Sequence, residues 1–522
     1  EGLSFFFAVF FIIYTLNETI MAKKLNRRKF IGNTVAASIA ATIVPRHVLG
    51  GKGYIAPSDK LTMAYIGCGT QGIRELIDLL KNPKVQIVSV CDPNKFSTNY
   101  RDWSTTGIRN LMREATGNTN WGASLNGIPG GRDVGQEMVN GYYARTNATN
   151  TKKTCSSYED FRELLDKEKD FDAVKIMTPD HLHGTISIAA MNKGKHVVIH
   201  KPIANRMYEA RLTIDTARKT GVSSHLMAYS NIQGNQNLKK MLEDGVIGNL
   251  QEIHNWSNRP VWPQFTRNPI ESMPIPDGMN WDLWLGPVPE RAYHLDYTHM
   301  TFRGWYDFGG GTIADMGHYS LWPLFLTLGI DTPPISAEAC GTTNREIVNQ
   351  VSQGIKNDVA FPYSSMVRFK FPAQKTLPAF NLFWYDGGMR PAIPDEVENI
   401  NAELPEEGMM FVGDKGKIVA GFNCENPTLI PNSKMVAYMK DKTRPTEKRE
   451  APNDIWIDAF MNKQESPGSF LKANAITETI LLGGVALRTG KRIYYDSENM
   501  KITNIAAANK YFYREYRKGW EL

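Results

Sequence analysis

The chain has 522 residues, more than one hydrophobic core usually organises, so two domains with appendages are expected. Hydrophobic residues at 42% and charged residues at 22% exclude a chain dominated by disorder, and 11 Trp with 21 Tyr favour aromatic-lined clefts. The formal charge of +6 comes partly from the first thirty residues and from Lys510, Arg514, Arg517 and Lys518, so no nucleic-acid-binding stripe is implied.

Five cysteines, at positions 68, 91, 155, 340 and 424, are odd in number and form no CxxC pair, which argues against a disulfide framework or a thiolate metal site. Cys68 and Cys91 fall at predicted strand ends, where a cysteine behaves as a small buried hydrophobe.

In chain order, residues 1–20 hold an apolar stretch from Phe5 to Tyr14 ahead of Met21, and are expected to be an over-extended reading frame. Residues 1–50 as a whole are set apart as an upstream segment and signal region. Arg27 and Arg28, followed by Phe30 and Ile31 and then by the uncharged run 33–45, match a twin-arginine export signal. The expected location is therefore the periplasm. The apolar run is shorter than the ~20 residues that span a bilayer, so no stable membrane domain is expected. No A-x-A cleavage site is visible.

Residues 61–66 read as a short buried strand that runs into Gly67-Cys68-Gly69-Thr70-Gln71-Gly72, after which 73–80 has helical spacing of apolar residues. In this context Gly67 permits the tight turn, Gly69 lets the backbone approach a pyrophosphate, and Gly72 allows close packing of helix on strand. The helix N-terminus then faces the anion. A second strand, 85–90, ends at Asp92, where a carboxylate can bond the adenosine 2′-hydroxyl and repel a 2′-phosphate, favouring NAD over NADP.

Residues 101–150, rich in Gly, Asn and Thr, read as a long surface insertion. Regular structure resumes with a helix at 158–167 and a strand at 173–177 that ends at Thr178-Pro179-Asp180-His181-Leu182-His183. A helix at 185–192 follows, then a strand at 196–199 that ends at His200-Lys201-Pro202. This β-α alternation predicts a parallel doubly wound sheet, with ligand at the carboxyl ends of its strands. From Tyr229 the pattern changes to a helix at 237–245, strands at 251–256, 364–371 and 382–385, and Pro-rich connections. The expected fold is α/β: a dinucleotide-binding Rossmann domain over 60–226, then an α+β substrate and oligomerisation domain over 227–522 with an open, mainly antiparallel sheet. A homo-oligomer is expected.

Taken together, GCGTQG at 67–72, CDPN at 91–94, TPDHLH at 178–183, Lys201-Pro202 and the glycine-led segment from Gly309 resemble the glucose-fructose oxidoreductase/inositol dehydrogenase (Gfo/Idh/MocA) family, from about Lys60 to the C-terminus. The segments 281–287 and 302–308 resemble its secreted bacterial branch. The resemblance implies that Lys201 lies beside the nicotinamide and the reacting hydroxyl, with cis-prone Pro202 fixing its aim. His200 stands where the family carries Glu.

In Gly309-Gly310-Gly311-Thr312-Ile313-Ala314-Asp315-Met316-Gly317-His318, the glycines would let backbone approach substrate. Asp315 and His318 would share one helical face, the histidine accepting the hydroxyl proton. The family places that histidine four residues after the aspartate, where this chain has Tyr319, so the register is open between His318 and Tyr319. The resemblance assigns Thr178, Pro179 and His183 to nicotinamide and ribose contacts, with His183 on the substrate side. Asp180, His181 and His183 lack the converging partners of a zinc site, and no metal is expected. Of Trp256, Trp262, Trp281, Trp284, Trp305 and Trp384, one or two are expected at a sugar-binding pocket and the rest in the core. Arg303 and Asp307 are further polar candidates.

The leading expectation is NAD(H)-dependent oxidoreduction of a secondary hydroxyl on a sugar, glycoside or cyclitol. The runner-up is a redox-assisted glycosidase that oxidises and eliminates transiently with bound NAD. A rival of another class is a non-catalytic dinucleotide-containing scaffold or sugar sensor.

Overall fold

Leu61–Ile66 (β1) is buried at nearly every position, the pattern of a central parallel strand covered on both faces. It passes through Gly67 into α1 (Thr70–Lys81), whose Ile73, Leu76, Ile77 and Leu80 fall at helical spacing and pack on the sheet. The computed structural model describes residues 59–146, 154–228, 232–398, 403–440, 442 and 451–522. The leader with Arg27, Arg28, Phe30 and Ile31 lies outside the described residues.

After β2 (Val85–Cys91) come two helices, α2 (Gly107–Thr116) and α3 (Arg132–Thr146), where a surface insertion is predicted from sequence. Met112 and Met138 are fully buried in one core cluster with Tyr65 and Leu76. The glycines of α3 mask this in the sequence because they are contact points rather than loop formers. A Cβ on Gly135 would sit 2.7 Å from Cys68 Sγ, and one on Gly141 2.8 Å from the Thr116 methyl.

The alternation continues with β3 (Ser156–Tyr158), α4 (Phe161–Lys167), β4 (Ala173–Ile176), α5 (Asp180–Asn192), β5 (His196–His200), α6 (Met207–Thr220) and β6 (Ser224–Met227). The helix read at 158–167 thus begins only at Phe161, capped by the Asp160 side chain. The strands form one parallel sheet in the order β3-β2-β1-β4-β5-β6. The strand order reverses between β1 and β4, which opens a crevice at their carboxyl ends.

The second half starts with α7 (Ile232–Glu243) and β7 (Leu250–Trp256), followed after a long connection by α8 (Gly311–Leu328). Then come β8 (Ser336–Gly341), a separate hairpin of β9 (Asn344–Val348) and β10 (Val351–Ile355), β11 (Ser365–Phe371) and β12 (Phe380–Tyr385). Towards the C-terminus follow β13 (Gly408–Gly413), β14 (Lys417–Ala420), β15 (Thr428–Ile430), α9 (Pro452–Met461), α10 (Asn474–Thr489), β16 (Ile493–Asp496) and β17 (Lys501–Ile502).

Nine strands form a mixed sheet, antiparallel except where β12 runs parallel to β7. α8 and α10 pack against it through Ile313, Phe325, Ile480 and Leu482, meeting Val367, Phe369 and Trp384. α9 returns to the first sheet, where Trp456 is buried with Tyr65 and Val85. All five cysteines are free thiols. Among the described residues no helix is long and apolar enough to cross a membrane.

Candidate active site

The crevice between the β1 and β4 ends opens into a cavity of about 510 Å³. Gly67 holds φ +104°, and a Cβ there would lie 2.6 Å from the Met177 carbonyl group, so a side chain is excluded by both conformation and space. A Cβ on Gly72 would lie 2.2 Å from the Gly67 carbonyl oxygen, which fixes how closely α1 meets the turn. Gly69 differs: a Cβ there would touch only the edge of the Tyr100 ring, at 3.5 Å, because the residue faces the cavity.

The N-terminus of α1 has no side-chain cap and no acidic residue in its first turn, leaving its amides and dipole directed at the cavity. Thr178 lines the same cavity, and its Oγ1 is buried without a hydrogen-bond partner. Asp92 accepts the Cys68 and Asn94 amides at 2.7 and 2.8 Å, one on each carboxylate oxygen, and still lines the cavity. Burial raises its pKa to about 6 against those bonds. Free lone pairs remain for a ribose hydroxyl. These features fit a dinucleotide.

Part of the cavity wall comes from a segment that sequence reasoning left unassigned. Tyr100 packs its ring against that of His299, centroids 4.2 Å apart and planes tilted by 50°, and receives a hydrogen bond from Asn94 at 3.0 Å. Arg101 pairs with Asp296 at 2.8 Å, and Arg74 pairs with Asp102 while lying over the Trp103 ring. Residues 100–103 thus form a strap from the first domain across the glycine turn to the second. Of the tryptophans weighed from sequence, Trp262 and Trp284 line the cavity, and Trp256, Trp305 and Trp384 are core.

At the far end of the cavity Lys201, 1% exposed, donates to Asp315 Oδ1 at 2.5 Å, and Nζ lies 4.4 Å from the centre of the Tyr319 ring. Burial pushes the Lys201 ammonium down and the Asp315 carboxylate opposes it. Burial also works against the Asp315 anion, but Arg303 and Lys201 beside it hold the carboxyl well below its usual range. Arg303 reaches Asp315 at 3.5 Å and Asp180 at 3.3 Å. Asp180 also accepts the Gly310 amide at 3.0 Å, tying the first domain to the start of α8.

Gly67, Gly69, Thr70, Gln71, Gly72, Asp92, Thr178, Pro179, His183, His200, Lys201 and Asp315 all line this one cavity. His318 does not. It is fully buried, with Nδ1 2.8 Å from the Ala314 carbonyl, and burial drives its pKa down to about 3. Tyr319 lines the cavity instead, because residues four apart on a helix stand over one another and Asp315 already points inward. The helix-opening glycines do not admit substrate: a Cβ on Gly309 would strike the Arg303 backbone and one on Gly311 the Phe361 ring. His183 is held with its ring nitrogens 2.6 and 2.8 Å from the Pro202 and Thr178 carbonyls, clamping the two strand ends. His181 lies 2.8 Å from the Trp284 carbonyl, and Asp307 pairs with Arg291 and Arg206.

Sequence reasoning missed Glu75, Lys175, Tyr100, Arg259 and His299. Glu75 sits one turn beyond Gln71, off the apolar stripe of α1, where a half-buried carboxylate reads as an ordinary solvent-side residue. The others come from connections with no periodicity, or from Lys175 inside a strand, and had no local signature.

Residues 136–228 match the family model described as the GFO_IDH_MocA oxidoreductase family, NAD-binding Rossmann fold. Residues 232–356 match the same family's C-terminal alpha/beta domain. The glycine turn precedes the first matched stretch, so its role rests on the strand-turn-helix geometry. A levoglucosan dehydrogenase from Pseudarthrobacter phenanthrenivorans is 32% identical over 115 residues, 21% of this chain and 29% of that protein. A 1,5-anhydro-D-fructose reductase from Ensifer adhaerens is 23% identical over 277 residues, 51% of this chain and 68% of that protein. The first match thus spans under a third of its relative's own length. The WlbA dehydrogenase of Bordetella pertussis, solved with NADH and UDP-GlcNAcA, aligns at TM-score 0.49 and 15% identity over 84% of this chain and 99% of that one. The parallel sheet with its glycine turn and the two matched stretches make the chain similar to the Gfo/Idh/MocA oxidoreductases, the first stretch matching their NAD-binding Rossmann fold.

Proposed function

We propose that this protein is an NAD(H)-dependent oxidoreductase acting on a secondary hydroxyl of a sugar, glycoside or cyclitol. The reading rests on one observation: a buried ammonium, its carboxylate partner and a phenol converge at the end of the glycine-lined cavity, on Lys201, Asp315 and Tyr319. NAD, when bound, supplies the hydride acceptor. Gly69 and the α1 amides would hold its pyrophosphate, Asp92 its adenosine ribose, and Thr178 its nicotinamide half. Lys201 donates a hydrogen bond to the reacting oxygen and stabilises the charge that builds there. Asp315 aims the ammonium. Trp262 and Trp284 offer apolar faces to the C–H surface of a sugar ring.

The strap over the glycine turn favours a second outcome for the same chemistry, because a covered cofactor is retained and can be reduced and reoxidised within one turnover. The product is then a cleaved glycoside rather than a ketone. Assaying denatured protein for released NAD, then screening glycosides for ketone and for aglycone, separates the readings. Ketone with NADH supports dehydrogenation, and aglycone without net NADH supports the redox-assisted glycosidase. Absence of dinucleotide and of both products overturns the enzyme assignment. We also propose that Arg27 and Arg28 direct export to the periplasm, which cytoplasmic retention of the R27K/R28K double variant would support.

A further inference from the structure

His200 occupies the position where the family motif carries a carboxylate, yet a carboxylate is present: Glu75 reaches in from α1. Glu75 Oε1 lies 3.2 Å from His200 Nε2, and the same nitrogen lies 3.0 Å from the Tyr319 hydroxyl. On its far side Glu75 Oε2 accepts Lys175, which is fully buried, at 2.5 Å, and Gln71 donates to Oε1 at 3.2 Å. Glu75 is therefore held ionised and aimed, with one oxygen against the imidazole. Among these groups Tyr319, Lys201 and His200 line the cavity, whereas Glu75 and Lys175 stand behind them.

We infer that Tyr319, His200 and Glu75 form a proton relay, in which Tyr319 takes the proton of the reacting hydroxyl, His200 stores a proton, and Glu75 positions and neutralises the resulting imidazolium. The inference rests on the proposed oxidation and names the acid-base partner of Tyr319. In the forward step the substrate O–H bond breaks and its proton joins Tyr319 Oη. The Tyr319 proton moves to His200 Nε2, and the O–H electron pair becomes the second C–O bond as hydride leaves the carbon for the oxidised dinucleotide. The reverse step returns the proton from His200 through Tyr319 to the product oxygen.

A tyrosine alone is a poor base near neutrality, and burial pushes the Tyr319 hydroxyl still higher. Passing its proton to an imidazole as it gains another avoids a free phenolate, and a fixed carboxylate beside the imidazole is the preorganised charge that lowers the barrier. The charged and titratable groups around His200 are Glu75 from α1, Tyr319, Asp315 and His318 from α8, the adjacent Lys201, Arg303, and His183 from α5. Burial above all, with Lys201 and Arg303, disfavours the imidazolium and holds the His200 pKa down, and Glu75 is the group that opposes them and supports transient proton storage.

The test uses the full-length protein with its dinucleotide, comparing parent, His200→Gln, Tyr319→Phe, the double variant and Glu75→Gln in single-turnover oxidation of a glycoside that the parent oxidises, across the neutral pH range. Retention of dinucleotide and the melting transition report folding. If the parent oxidises nothing, the proposed function fails before the relay is reached. With an active parent, His200→Gln and Tyr319→Phe are each expected to slow turnover about 10²-fold. The double variant should be no slower than either, because both break one relay. Glu75→Gln should move the acid limb of the rate profile to lower pH, since loss of the anion makes the imidazole easier to deprotonate. Rates that multiply in the double variant, or a limb unmoved by Glu75→Gln in a protein that keeps its dinucleotide, would overturn the relay.

Discussion

Lys201 Nζ and Asp315 Oδ1 meet at 2.5 Å across the boundary between the two halves of the molecule, joining the end of β5 to the second turn of α8. One of these residues follows a parallel strand and the other lies in a helix more than a hundred positions later. Their contact places the ammonium at the cavity end. Removing the ammonium with Lys201→Met should lower kcat by about 10²- to 10⁴-fold while dinucleotide stays bound. Asp315→Asn should also lower the melting temperature more than Lys201→Met does, because it leaves the Lys201 and Arg303 cations facing each other in a buried site. Thermal melts and steady-state kinetics of the two variants check this, and a Lys201→Met enzyme with parental kcat would remove Lys201 from the chemistry.

Gly69 and Gly72 should separate cleanly into binding and folding roles. Gly69→Ala adds a methyl group that meets only the Tyr100 ring edge at 3.5 Å, so the protein should fold with a loss under about 1 kcal/mol yet bind NAD at least about tenfold more weakly. Gly72→Ala places its methyl group 2.2 Å from the Gly67 carbonyl and should cost about 1–3 kcal/mol or more. Denaturant unfolding and a dinucleotide titration of both variants decide it; equal effects on stability and affinity would be inconsistent with the geometry.

Loosening the strap should change cofactor kinetics before it changes chemistry. Tyr100→Ala removes the ring contact with His299 and the cover over Gly69, and is expected to speed NAD release about tenfold or more with a smaller effect on the hydride step. Trp103, 59% exposed, lies over Arg74, and Trp103→Ala should act in the same direction more weakly. Stopped-flow displacement of bound NADH measures both, and unchanged release rates would show that the strap does not gate the cofactor.

Stability should respond to pH through a carboxyl that does not line the cavity. Asp386 is buried and accepts Trp384 Nε1 and the Ser365 amide and hydroxyl, and burial outweighs those bonds to raise its pKa to about 7. The raised value means the folded protein keeps a proton that the unfolded chain has released between about pH 4 and 7, so this stabilisation is full in acid and is lost as pH rises through 7. Asp92 and Asp180, raised to about 6 by burial, act with the same sign. Asp386→Asn should flatten the fall in unfolding free energy between mildly acidic and mildly basic buffer, whatever its effect on overall stability. A slope identical to the parent's would assign the pH dependence elsewhere.

Local chemistry determined the parts of this protein whose function depends on backbone shape. A glycine turn between an apolar strand and an amphipathic helix can do little but form the crevice it forms, and the strand-end motifs at 178–183 and 200–202 are written next to the strands that present them. The same logic failed at 107–146, where glycines used for close helix packing read as a loop, and it left His318 and Tyr319 open, where a one-residue difference in helical register decided which side chain faces the cavity. Periodicity of 3.6 cannot separate positions 318 and 319 without knowing which side of α8 the core occupies. Contacts such as Glu75 with His200, Tyr100 with His299 and Lys201 with Asp315 join elements far apart in the chain. Only the tertiary packing decides those, because burial and the removal of water, not sequence spacing, make each pair of charges or rings worth holding together.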